Sequence, residues 1–465
     1  MSFLSFNFWL VFPIIFGLYW LIPVKFNLAR KVFLILVSYL LYMNWKPAFA
    51  IVLLGVTLIT YFGGYLLDKN KIERSRKSIA ILFAILSLLP LIVFKYYNFL
   101  NDSIHSGLGH LGLAFNLPGL NLAIPVGISF FTFQAVGYLL DVYHGKTVAE
   151  KNIIDYILFV SFFPQIASGP ISKADELLPQ IKRPHTFDFE QGKQGLKFLL
   201  WGMFLKVVIA DRLGIYVDAV FPNYVHYDSL ACIVAIVFYS IQIYADFAGY
   251  SFMAIGIAGT LGFSLINNFN RPYFAQSVSE FWRRWHISLT RWLTENVYIP
   301  LGGNRCSRVR CWFNILVTFL VSGIWHGANW TFIIWGLIHG LLLILERVTG
   351  LNHKGKVSVF RIAATFILVS TAWIFFRMPT VGDSIGIIGH LFTSHNASAI
   401  AVSGINSSLI VLPFLFLKDF KDEFLQSRFK FLNHPAVHWA WYVLLLVMII
   451  GFGVLDSGQF IYVSF

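Results

Sequence analysis

The chain has 465 residues, of which 57% are hydrophobic and only 12% charged, with 48 Phe and 14 Trp. A water-soluble chain carries about a quarter charged residues, so this composition excludes an ordinary soluble domain and points to an integral membrane protein. The net charge of +13 would suit a nucleic-acid partner, but the basic residues fall where the positive-inside rule puts them, and no nucleic acid is expected.

A spanning helix needs about 20 mainly apolar residues, and about ten such stretches recur between Phe6 and Leu455. They are continuous rather than alternating, so helices, which satisfy their own backbone groups in lipid, are expected rather than strands. Residues 6–24 read as a first span and not as a removable signal, lacking a basic n-region and a small-residue cleavage site. Lys25, Arg30 and Lys31 follow, residues 47–68 hold no Lys or Arg, and Lys69, Lys71, Arg74, Arg76 and Lys77 then crowd one short loop. Another basic-free stretch covers residues 96–145. Basic loops on the cytoplasmic side give spans near 6–24, 31–45, 48–67 and 78–100, with the N-terminus and residues 101–120 outside.

Residues 153–262 divide less clearly into spans, and the polar stretch 170–195, with Lys173, Lys182, Arg183 and His185, is expected to be cytoplasmic. Residues 267–310 are amphipathic, aromatic and basic, and not apolar enough to span. There Trp282, Trp285 and Trp292 alternate with Arg283, Arg284 and Arg291, the composition of helices lying at or dipping into the membrane interface. Pro300 and Gly302-Gly303-Asn304 end that region, and a further span begins near Cys311. The loop 347–361 is basic, 378–417 holds no Lys or Arg, and Lys418, Lys421, Arg428 and Lys430 follow. A last span near 438–455 then leaves the C-terminus outside as well.

Cys232, Cys306 and Cys311 form no CxxC pair and no metal-ligand spacing, so they read as inert and no metal is expected. No internal repeat or nucleotide-binding glycine loop is visible. Most of the 13 histidines, His185, His353, His390 and His395 among them, fall in or beside expected loops. Three differ: His326 in VSGIWHGANWTF, His286 in FWRRWHISL, and His339 in IIWGLIHGLLLIL. An ionisable group in an apolar run is costly and is a functional candidate, although a buried neutral imidazole can also bond a backbone carbonyl. Gly323, Gly327 and Gly340 beside them let a backbone or ligand come close. There is no G-x-S-x-G elbow, no HExxH and no paired carboxylates of glycosidase type. Imidazole, with a pKa near neutrality, suits general base work or nucleophilic attack, as acyl transfer to a hydroxyl requires.

SEFWRRWHISLTRWL…YIPLGGNR, followed by GIWHGANWTFIIWGLIHG, resembles the bacterial membrane-bound O-acyltransferase family, nearest its alginate and peptidoglycan O-acetyltransferase branch. IPVGISFFTFQAVGYLLDVY, FPQIASGPI, QIYADFAGYSFMAIGIAGTLGF and the tail FIYVSF extend the likeness over most of the chain. Where the branch often has Arg-Asp-Tyr, this chain has Thr294-Glu295-Asn296, and Phe252 stands where it often has Asp.

The resemblance implies an all-α polytopic membrane protein: a ring of tilted helices around a thinned central waist, with interfacial re-entrant helices. It implies one membrane-embedded domain over residues 1–465, with N-terminal spans in 1–120, a catalytic core in 121–346 and C-terminal spans in 347–465. The family's catalytic histidine falls on His326, as general base or transient acyl carrier, and its upstream partner on His286, which would polarise the thioester carbonyl or orient the donor. Gln242 and Asp246 fall on its QxYxDF element, and Arg283, Arg284 and Trp285 on its basic-aromatic helix, with Arg291, Asn329 and His339 in support. Arg283, Arg284, Arg291 and Arg305 either hold phosphates of coenzyme A or serve only the positive-inside rule. The implied reaction moves an acetyl group from a cytoplasmic thioester, acetyl-CoA, to a hydroxyl of an extracytoplasmic cell-surface glycan or partner protein. No permanently bound cofactor is implied. The expected setting is the lipid of the bacterial cytoplasmic (inner) membrane, with both termini extracytoplasmic. Transfer of D-alanine to teichoic acid from a carrier-protein thioester shares both histidines and stands as an alternative. A small-solute transporter is another, though the chain shows no repeated halves.

Overall fold

The computed structural model describes residues 3–113, 117–351, 357–393, 405–425 and 434–454. Among the described residues all regular structure is helical. Eight helices of the described residues are long and apolar enough to cross a membrane: Val24–Met43, Pro47–Lys69, Glu73–Gly109, Ser229–Thr260, Arg308–His326, Trp330–Thr349, Val359–Arg377 and Pro435–Phe452. The chain is an all-α, multi-pass membrane protein. Phe6–Leu21 and Ile128–Tyr143 are apolar but shorter, at 16 residues each. The first stops before the expected 24 because Ile22 is extended and Pro23 has no N–H to continue the ladder. The basic-free stretch 378–417 holds the helix Val381–Thr393 and most of Ile405–Phe420, whose last turn includes Lys418. His353, His395, Arg428, Lys430 and the tail 460–465 lie outside the described residues.

The chain forms two compact units. The first comprises Met1–Leu196 and Ala254–Ile266. Its helices meet closely at Gly64, where a Cβ would lie 2.7 Å from the Tyr138 hydroxyl. Its buried charges are satisfied: Lys31 pairs with Asp155 at 2.7 Å, and the Arg30 guanidinium donates to the carbonyls of Ile22 and His185. Such pairing is what makes an ionised group tolerable in a low-dielectric setting.

The second unit, Lys197–Met253 with Asn267–Phe465, carries every candidate site residue. The helix Ser229–Thr260 belongs to it as far as Met253, and 72% of that helix's most apolar window is buried, against at most 44% for the other spans. Beside it the π-helical turn Phe204–Ala210 holds Lys206, whose Nζ lies 2.6 Å from both Asp211 and Asp246. A π-turn widens the helix and often marks a functional region. Cys306 and Cys311 are free thiols with sulfurs 3.0 Å apart, closer than their spacing alone suggested.

Candidate active site

Residues 267–293 form a folded strap of short helices. Ser277 caps Val278–Arg284 by accepting from the Glu280 N–H at 3.0 Å. A second cap comes from far along the chain: the Glu346 carboxylate accepts from the N–H groups of Val278 and Ser279, the latter at 2.9 Å. A negative charge there also complements the positive end of the helix dipole. The helix ends at Trp285, and His286 takes a left-handed conformation, φ 42° and ψ 53°, before Ile287–Leu293 begins. A non-glycine residue costs on the order of 1 kcal/mol there, so the surroundings must hold it.

Asn268 is what holds it. Its carbonyl accepts from the Ile287 N–H at 2.9 Å, and its side-chain Oδ1 from the Ser288 N–H at 3.0 Å. The same Oδ1 lies 3.3 Å from His286 Nδ1. Because the Ser288 N–H fixes Oδ1 as the acceptor, His286 Nδ1 carries the proton and Nε2 the lone pair. Burial pushes the His286 imidazole down to about 3, so it is neutral at ordinary pH. Its ring meets Phe247 at 4.6 Å and Trp325 at 5.7 Å.

His326 closes the helix Arg308–His326, and Gly327 turns the chain into an extended conformation. A Cβ on Gly327 would lie 2.1 Å from the Phe332 ring, so a larger residue there would have to displace that ring. Asn329 caps the next helix through the Thr331 N–H at 3.0 Å and donates to the Pro379 carbonyl at 2.8 Å. His326 is 2% exposed and ringed by Trp325 at 4.8 Å, Trp335 at 4.9 Å and Phe376 at 5.2 Å. His286 and His326 therefore abut the same indole, that of Trp325. His339 joins the cluster through Trp335 at 4.9 Å, and its Nδ1 accepts from Trp282 Nε1 at 3.3 Å.

The remaining expected residues divide. Trp285 is fully buried against Trp373 and Phe281, a core residue rather than an interfacial one. Arg284 donates to Glu280 at 2.6 Å and to Glu423 at 2.9 Å, and Glu423 also pairs with Arg271 at 2.8 Å. Arg283 and Arg305 are exposed and Arg291 is half-buried. Asp246 is tied to Lys206, while Gln242, one turn earlier, would touch a Cβ on Gly214. Among the described residues no three His, Cys, Asp or Glu side chains gather as a metal site.

Sequence reasoning did not single out Asn268, Trp325, Lys206 or Glu346. Lys206 and Glu346 carried a usable signal, each being an ionisable group in an apolar run. Asn268 carried none, being one of Asn267, Asn268 and Asn270.

Chemically, the cluster offers buried imidazoles in a water-poor aromatic setting. Excluding water matters for acyl transfer, because water competes with the intended hydroxyl.

Comparison with known proteins gives the same class. Residues 150–376 match the model of the MBOAT, membrane-bound O-acyltransferase family. The chain is 38% identical over 385 residues to the Pseudomonas syringae protein named "Probable alginate O-acetylase AlgI", covering 82% of this chain and 73% of that one. It is 33% identical over 394 residues to the peptidoglycan O-acetyltransferase of Helicobacter pylori, covering 78% and 74%. The teichoic acid D-alanyltransferase of Bacillus subtilis is more distant, 27% identical over 305 residues, covering 63% and 74%.

Proposed function

The chain belongs to the membrane-bound O-acyltransferase family, and from that premise we propose that this membrane-bound O-acyltransferase transfers acetyl from acetyl-CoA, on the cytoplasmic side, to a hydroxyl of a cell-surface glycan or of a protein that passes the group on. The observation that carries the reading is the meeting of His286 and His326, both buried, on the Trp325 indole. The names of the alginate and peptidoglycan relatives favour acetyl as the group and a glycan as the acceptor. The bacterial inner membrane, with both termini outside, is the setting that fits the distribution of Lys and Arg.

In this mechanism the acceptor hydroxyl attacks the thioester carbonyl while His326 takes its proton. The new C–O bond forms, the C–S bond breaks, and the proton passes from His326 to the departing thiolate. His286 orients a reactant rather than polarising the carbonyl. Its Nε2 holds a lone pair and accepts hydrogen bonds, while its one N–H is committed to Asn268.

Purified protein in lipid nanodiscs, given acetyl-labelled acetyl-CoA and either an alginate oligosaccharide or a peptidoglycan glycan fragment, tests the reading. Alkali-labile label on a saccharide, or on a co-purified envelope protein, is expected. Failure to consume acetyl-CoA under conditions where a D-alanyl carrier thioester is consumed would replace acetyl by D-alanine.

A further inference from the structure

A buried N–H without an acceptor is rare in a folded protein and costs about 1–3 kcal/mol. Asn268 is 1% exposed, and while its Oδ1 serves both Ser288 and His286, its Nδ2 has no hydrogen-bond partner. Rotating the amide would not relieve this, because the NH2 group would then face the Ser288 N–H. The side chain is thus fixed with its acceptor towards the protein and its two donors unused.

The neighbouring aromatic cluster repeats the pattern. Trp285 Nε1, Trp335 Nε1 and His339 Nε2 are also buried without a partner. His339 Nε2 is a donor because Nδ1 already accepts from Trp282. Donors without acceptors, gathered around two buried imidazoles, describe a site made for a ligand that brings oxygen acceptors.

We propose that Asn268 is a further catalytic residue, whose Nδ2–H donates to the carbonyl oxygen of the acyl thioester and stabilises the negative charge that grows there as the hydroxyl attacks. This rests on the acyl-transfer reading above. It divides the labour within one residue: Oδ1 sets the His286 tautomer, and Nδ2 faces the reacting group. The step needs no further reactant. The carbonyl C=O electrons move onto oxygen as the C–O bond forms and return as the C–S bond breaks. A preorganised amide is suited to this charge, because it need not reorient as the charge develops.

Asn268→Asp separates the two roles. Aspartate keeps an acceptor for Ser288 and His286 but has no donor when ionised. If Asn268 only holds His286, the change is tolerated, because a carboxylate partner serves a histidine well. If Nδ2 donates to the oxyanion, kcat falls by about 10²–10³-fold with the KM for acetyl-CoA and the melting temperature little changed. Asn268→Asp protein with near wild-type kcat would overturn the assignment while leaving the acyl-transfer reading intact, since wild-type transfer is measured in the same assay. A second measurement uses wild-type protein alone. The ketone analogue of acetyl-CoA, with a methylene in place of sulfur, should bind roughly tenfold more tightly than the alkyl analogue lacking the carbonyl oxygen. Equal binding of the two would also overturn it.

Discussion

The imidazoles of His326 and His339 are joined through one indole, each ring centroid lying 4.9 Å from that of Trp335. His339 also accepts from Trp282 in the helix Val278–Arg284, whose end leads into His286. It therefore acts as a brace between His286 and His326, the two histidines of the proposed mechanism. His339→Ala should lower acyl transfer about tenfold, as expected for one lost buried hydrogen bond worth about 1–2 kcal/mol. The pH profile of kcat should keep its wild-type shape, because a brace takes no proton in the reaction. A profile whose inflection moves would make His339 a chemical participant.

Glu346 lies two turns beyond His339 in the helix Trp330–Thr349 and caps the start of Val278–Arg284. Glu346→Ala removes the acceptor for two backbone N–H groups, a loss of about 0.5–2 kcal/mol by comparison with other caps. The expected outcome is a lower melting temperature together with reduced turnover, and Glu346→Gln should recover part of both. A variant with unchanged stability would show that the carboxylate does not hold the strap.

Arg283 and Arg284 are neighbours with different surroundings. Arg284 bridges Glu280 and Glu423, with 17% of its side chain exposed, whereas Arg283 is exposed. The Glu280 carboxyl, although disfavoured by partial burial, is held below its usual range by the Gln276 N–H and the Arg284 guanidinium. Arg284→Ala should therefore act mainly on stability, lowering the melting temperature by an amount equivalent to about 1–3 kcal/mol. Arg283→Ala should raise the KM for acetyl-CoA and leave melting unchanged. Titrating acetyl-CoA against both variants in one assay separates a phosphate contact from a structural ion pair, and the reverse pattern would exchange the two roles.

The all-helical, multi-pass character and the candidacy of His326 were legible because both rest on local composition: long apolar runs, about ten expected against eight helices long enough to cross, and one imidazole where apolar neighbours make it costly. The strap was only partly legible. Its Trp and Arg alternation suggested helices lying at or dipping into the membrane interface, and two short helices are found, yet Trp285 is fully buried and Arg284 is satisfied inside the protein. The carboxylates responsible, Glu346 and Glu423, lie far along the chain, and no local pattern announces a partner at that distance. The left-handed conformation of His286 was equally hidden, because nothing between Trp285 and Ile287 marks a break. It follows from Asn268, whose single side chain secures both the turn and the tautomer.

His286 and His326 should differ in how much the reaction can spare them. His286→Ala removes the acceptor proposed to orient a reactant, and a loss of about 10-fold to 10²-fold is expected. Kinetics with saturating acetyl-CoA should recover part of this loss. A loss equal to that of the His326 variant, unaffected by donor concentration, would assign proton transfer to both.

The most direct test of the account is the rate of acetyl transfer by purified His326→Ala protein, measured with acetyl-labelled acetyl-CoA against the wild type at equal amounts of folded protein. General base catalysis contributes about 10²–10⁴-fold, so the variant should fall by that factor while its melting temperature shows a folded protein. Transfer at near wild-type rate by folded His326→Ala protein would contradict the assignment of His326 as the base.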